Sequence, residues 1–152
     1  MLVPIIMGSK IDQPHAEQIA AILAEFGVRS EMYIASAHKV PELALDIVQE
    51  FNQSDEPIVY ITMAGRSNAL SGFVAANSIH PVIACPPFKD KADYLVNIHS
   101  TLNMPSDTPN MTVLDPRNAA LAAIRILALT DEKLQREVAA YIKAVKDDFV
   151  NG

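Results

Sequence analysis

The sequence predicts an α/β fold: a three-layer α/β/α sandwich on a parallel sheet, with a C-terminal helical extension. Two observations carry this reading. Short apolar runs alternate with stretches of helical periodicity about five times along the chain, the pattern of parallel strands joined by right-handed crossover helices. A further amphipathic stretch, "TDEKLQREVAAYIKAVKDDFVNG", lies beyond the last strand candidate.

Each element has its own signal. "LVPIIM" is apolar throughout and ends at Gly8-Ser9, as expected of a strand buried on both faces. Asp12 is a candidate cap for the next helix, with Pro14 in its first turn. Ala16, Ile19, Ile22, Leu23 and Phe26 recur at helical spacing, and Gly27 is placed to end the run. "SEMYI" is the second strand. Pro41 opens a helix whose stripe is Leu43, Ile47, Val48 and Phe51. "PIVYITMAG" reads as the central strand, rich in β-branched residues and closed by Gly65. A helix around "NALSGFVAANS" follows, then a fourth strand in "PVIACPP". "KADYLVNIHSTL" predicts a short helix, "NMPSDTPN" a loop and "MTVL" a weak fifth strand. Asp115-Pro116 is a helix start, a carboxylate cap followed by proline at the first helical position. In the final stretch Thr130 is the candidate cap. Leu134, Val138, Tyr141 or Ile142, Val145 and Phe149 form one stripe, to be buried on its own domain or on a neighbouring subunit.

Composition narrows the function. The chain has 152 residues, half of them hydrophobic, so one domain with a sizeable core is expected. A single cysteine, Cys85, excludes an internal disulfide and a cysteine-based metal site; a reducing, cytoplasmic setting is the expectation. No apolar run approaches the roughly 18 residues of a membrane helix, and "MLVPIIMGSK" reads as a strand rather than a signal peptide. The formal charge is −6 and the twelve basic residues form no cluster, which argues against duplex nucleic acid as a partner.

Ligands of open parallel sheets collect beyond the carboxyl ends of the strands. Four polar or glycine-rich segments fall there: "GSKID" (8–12), "SAHK" (36–39), "AGRSNALSG" (64–72) and "CPP" (85–87). Gly8 and Ser9 offer backbone amides and a hydroxyl to an anion. Asp12 is either a plain helix cap or a partner for vicinal sugar hydroxyls. "GSKID" is neither the dinucleotide-binding glycine pattern nor a P-loop. His38 follows Ser36 and Ala37 and precedes Lys39; it is either a loop histidine or a residue that moves a proton near neutral pH. His15, His80 and His99 look structural, and no histidine pair has helix-borne zinc spacing. Gly65 allows a tight turn, after which amides near Arg66, Ser67 and Asn68, with those side chains, are either candidate donors to a carboxylate or a polarised carbon dioxide, or parts of a capped helix start with packing glycines. Gly72 within a helix calls for close packing or ligand approach. Cys85, with no paired base evident, reads as core.

"IIMGSKID", "SAHKVP", "AGRSNALSGFVAANS", "CPP" and "LNMPS" together resemble the PurE family of purine biosynthesis, over about residues 3 to 130. "AGRSNALSG" looks most like the second class of that family, aminoimidazole ribonucleotide carboxylase. The resemblance implies a flavodoxin-like catalytic domain (1–130) and a C-terminal helix (131–152) in the interface of a homo-octamer. It implies a ribonucleotide and carbon dioxide as partners, with no cofactor and no metal. It gives Gly8, Ser9 and Asp12 to the ribose phosphate, with the aspartate on ribose, and puts Ser36 in the same site. His38 becomes the proton-transfer residue, Lys39 the cation near phosphate, and Ala64, Gly65, Arg66, Ser67 and Asn68 the surround of the carboxylate. The chain departs from the family pattern at Ile11 (a serine in "GSxSD") and at Asn103 and Asp107 (arginine and glycine in "LRMPSG"), and weaker anion binding is the expected consequence. Two rival readings stand beside the carboxylase: an N5-carboxyaminoimidazole ribonucleotide mutase, and a non-catalytic nucleotide-binding or assembly protein.

Overall fold

The computed structural model describes residues 1–152. Five parallel strands form the sheet: β1 (Leu2–Met7), β2 (Arg29–Ile34), β3 (Tyr60–Met63), β4 (Val82–Ala84) and β5 (Met111–Thr112), in the order β2-β1-β3-β4-β5. The helices are α1 (Gln13–Glu25), α2 (Pro41–Phe51), α3 (Ala69–Asn77), α4 (Lys91–Leu102), α5 (Pro116–Leu127) and α6 (Glu132–Asn151). This is the flavodoxin-like order, and the expected sandwich is borne out.

The apolar character of β1 has a direct cause. Val3, Ile5 and Met7 enter one core with residues of α1 and α5, whereas Leu2 and Ile6 enter a second core with residues of α2 and α3. Successive side chains point to opposite faces, and both faces are covered. β3 divides in the same way: Ile61 and Met63 join the first core and Tyr60 the second. β2 is an edge strand, and its residues alternate between exposed and half-buried along most of its length.

Three local expectations need correction. Asp12 occupies the N-cap position of α1 but makes no capping hydrogen bond. Leu43 is exposed, and Ala44 takes the buried place on α2 beside Ile47, Val48 and Phe51. α6 is capped by Asp131, whose Oδ1 accepts from the Leu134 amide at 2.7 Å, while the Thr130 hydroxyl turns back to donate to the Leu127 carbonyl at 3.2 Å. Gly72 has the packing its helical cost calls for: a Cβ there would lie 2.8 Å from Met104 Sδ.

The stripe of α6 splits in two. Leu134 is buried in the first core, Val138 packs against it, and Tyr141 meets Phe26 edge-on at 5.5 Å between ring centroids. Beyond Ile142 the helix leaves its domain, with Phe149 86% and Val150 83% exposed.

Candidate active site

From β1 the chain crosses to β2 on one side; from β3 it crosses to β4 on the other. The segments leaving adjacent β1 and β3 therefore diverge and open a crevice at their carboxyl ends. Hydrogen bonds continue past the strands and hold the rims together. The Gly8 amide donates to the Met63 carbonyl at 2.8 Å, and the Ala35 amide to the Met7 carbonyl at 2.9 Å. Gly8 passes close to β3's end: a Cβ on it would lie 3.5 Å from that of Ala64.

One cavity of about 390 Å³ occupies this crevice, lined by Gly8, Ser9, Ile11, Asp12, Ser36, His38, Lys39, Ala64, Gly65, Arg66 and Ser67. Its volume lies in the range of small-molecule sites. Ten of the residues singled out from the sequence thus share one wall. His38 stands exposed in a turn closed by the Lys39 and Val40 amides, which donate to the Ser36 carbonyl at 3.1 and 2.9 Å. Ser9 Oγ accepts from the Ile11 amide at 3.4 Å, and the Asp12 amide donates to the Ser9 carbonyl at 3.1 Å. Asp12 is 7% exposed, and burial raises its pKa above the ordinary aspartate value, partly offset by hydrogen bonding at Ser9. Its carboxylate, not engaged as a cap, faces the cavity.

Asn68 is the exception among the selected residues. Its Oδ1 accepts from the Ser71 amide at 3.1 Å and its Nδ2 donates to Thr101 Oγ1 at 3.1 Å, so its side chain caps α3 in the interior rather than lining the cavity. The Arg66 and Asn68 amides are also committed, to Asn97 Oδ1 at 2.6 Å and Ser100 Oγ at 3.0 Å. Of the three amides expected to face a ligand, only that of Ser67 remains available, together with the Arg66 guanidinium.

Sequence reasoning passed over the support behind this turn. Asn97, Ser100 and Thr101 occupy one face of α4 at helical spacing, a pattern that ordinarily marks a solvated face. Here Asn97 and Thr101 are 2% and 1% exposed, and Ser100 donates to the Arg66 carbonyl at 2.7 Å. A second cavity of about 430 Å³ adjoins the first through Ile11, Asp12, Gly65 and Arg66 and extends to Phe88, Lys89 and Asp93. Asn103 lines a different cavity, with Met104 and Thr108, that shares only Ser67 with the His38 cavity. Its expected effect on ligand binding has no direct contact behind it within the protomer. Asp107 is exposed and holds φ at 65°, a left-handed conformation that glycine adopts freely.

The remaining titratable candidates are structural. His80 Nε2 lies 3.1 Å from the Phe51 carbonyl. Cys85 does have an imidazole beside it, since His15 Nε2 lies 3.6 Å from Sγ, which corrects the expectation of no nearby base. Burial pushes the thiol up to about 12, with a smaller push from Asp115, and burial lowers His15. Both groups are therefore held neutral, which suits packing and not nucleophilic attack. No group of three or more metal-ligating side chains is present, and no helix is long and apolar enough to cross a membrane.

The family model for AIR carboxylase matches residues 2–148. The chain belongs to the AIR carboxylase, or PurE, family. A phosphoribosylaminoimidazole carboxylase of Archaeoglobus fulgidus is 50% identical over 90% of this chain and 74% of its own length. One from Treponema denticola is 44% identical over 97% of this chain and 95% of its own. An N5-carboxyaminoimidazole ribonucleotide mutase of Methanocaldococcus jannaschii is 40% identical over 95% of this chain and 90% of its own. The crystal structure of Treponema denticola PurE superposes with a TM-score of 0.92, at 43% identity, covering 99% of this chain and 94% of that one. The family thus includes proteins of both named activities.

Proposed function

We propose that the protein carboxylates 5-aminoimidazole ribonucleotide at C4 with carbon dioxide, reversibly, giving the 4-carboxy product of purine biosynthesis. The observation that carries the reading is the meeting of the "GSKID", "SAHK" and "AGRS" turns around one cavity at the β1/β3 crevice. The Gly8-Ser9 backbone, the Ser9 hydroxyl and Lys39 hold the phosphate, and Asp12 accepts from ribose hydroxyls. The Ser67 amide and the Arg66 guanidinium hold the carboxylate as its charge develops.

The chemistry needs little more. The ring is electron-rich and enamine-like, so C4 attacks the carbon of carbon dioxide. A C–C bond forms, and one C=O pair moves onto oxygen. C4 then carries both a hydrogen and the new carboxylate. The His38 imidazole takes that hydrogen as a proton, and the C–H pair restores the aromatic ring. In the reverse direction the imidazolium returns the proton to C4 before carbon dioxide leaves.

The mutase is the second reading, supported by the relative of that name at 40% identity. In that case carbon dioxide is released from an N5-carbamate and recaptured at C4 in the closed site. Supplying purified protein with each ribonucleotide separately distinguishes the two. Conversion of the unsubstituted compound, without ATP, supports the carboxylase; conversion of only the N5-carboxylated compound supports the mutase. Binding without turnover of either supports the non-catalytic alternative. The same proposal includes a cytoplasmic homo-octamer in which the outer half of α6 packs on a neighbouring subunit.

A further inference from the structure

Asn97 of α4 commits both ends of its side-chain amide to two different loops. Oδ1 accepts from the Arg66 amide at 2.6 Å, and Nδ2 donates to the Pro87 carbonyl at 3.0 Å. The first loop follows β3 and carries Arg66 and Ser67 into the His38 cavity; the second follows β4. Arg66 is held at φ 60°. A side-chain-bearing residue stays in that region when its surroundings over-determine it, and the Asn97 bond is one such constraint. Asn97 also fills the space beside Gly65, where a Cβ would lie 3.4 Å from Nδ2.

We propose that Asn97 is a positioning residue for the reaction, latching the Arg66 turn to the post-β4 loop so that Arg66 and Ser67 face the reacting carboxylate. The inference rests on the proposed function for its catalytic consequence. The chemistry selects an amide: the place requires one acceptor and one donor on a single short side chain. A hydroxyl is too short to reach both loops. A carboxylate still accepts from Arg66 but turns a second acceptor toward the Pro87 carbonyl. The small 2% exposure matters because a buried amide that loses either partner leaves a polar group unsatisfied.

The test compares the full-length wild type with Asn97→Ala and Asn97→Asp. One arm is steady-state kinetics per folded protein; the other is amide hydrogen exchange across residues 64–69 without ligand. Asn97→Ala is expected to lower kcat by roughly 100-fold, the order associated with ~1 Å misplacement of catalytic groups, with a much smaller change in KM. Asn97→Asp, which keeps the Arg66 acceptor, is expected to recover at least about tenfold of that loss. Exchange in 64–69 quickens in the alanine variant, and by less in the aspartate variant, which keeps the Arg66 bond but loses the one to Pro87. A purely structural role predicts loss in proportion to unfolded protein, with unchanged kcat per folded molecule, and that result overturns the proposal. So does exchange across 64–69 that the alanine variant leaves unchanged. If the wild type turns over neither ribonucleotide, the functional reading fails while the exchange arm still decides the latch.

Discussion

Asp12 lines the His38 cavity at a cost to the stability of the fold. Its carboxylate is nearly out of solvent with no capping bond, and burial raises its pKa. A carboxyl raised in the folded state contributes stability that is present below its unfolded value and lost as pH rises through its folded value. Asp12→Asn should therefore raise the melting temperature at neutral pH, and the gain should shrink as pH falls through the raised folded-state pKa and be gone below about 3.9, the unperturbed aspartate value. The same variant should bind the ribonucleotide more weakly, so equal affinity would count against its place on ribose. His38 carries the opposite expectation, since it is exposed in a turn held by backbone bonds alone. His38→Asn should leave stability within about 0.5 kcal/mol and ribonucleotide affinity nearly unchanged, while lowering turnover by roughly 100-fold or more; wild-type turnover would refute the assignment. Residue types at strand ends made this cluster legible in the sequence. Asn68 was misplaced because an asparagine after a glycine turn reads equally as a ligand donor and as a helix cap. Ser71, three residues on, is the local cap partner, but the buried Thr101 that draws the other end of the amide inward is distant in sequence.

At the scale of elements, proline in the first turn made three of the six helix starts legible, those of α1, α2 and α5. The five predicted strands fall where the structure has them, down to the two-residue β5. The errors lie where one helical face carries side chains whose environment comes from another element. The polar face of α4 reads as solvated but meets the backbone of the Arg66 turn. Leu43 continues the apolar spacing of α2 yet points outward, while the smaller Ala44 is buried. α6 gives a sharper case, because one stripe serves two purposes. Its inner half is core: Leu134 is 3% exposed. Leu134→Ala should cost about 2–4 kcal/mol in denaturant unfolding. Val150→Ser, at the exposed end, should change the stability of the isolated protomer by no more than about 0.5 kcal/mol. Equal effects at the two positions would mean that the helix packs along its whole length.

For the molecule as a whole, the strand order explains why three turns distant in sequence converge, and no single motif carries that information. The outer half of α6 shows Val145, Phe149 and Val150 to solvent in the protomer, an apolar surface suited to a neighbouring subunit. Truncation after Lys143 keeps Leu134 and Tyr141 and should leave a folded protomer with a smaller sedimentation coefficient. An assembly of unchanged size would place the interface elsewhere. The central claim is that carbon dioxide itself adds at C4 with His38 as the proton acceptor, and the form of the one-carbon substrate tests it most directly. Aminoimidazole ribonucleotide is mixed with protein and either dissolved carbon dioxide or bicarbonate, and product is followed before the two interconvert. The account predicts a fast initial phase with carbon dioxide, a lag with bicarbonate that carbonic anhydrase removes, and neither phase with His38→Asn. Equal initial rates from the two forms, or product only from the N5-carboxylated ribonucleotide, would contradict it.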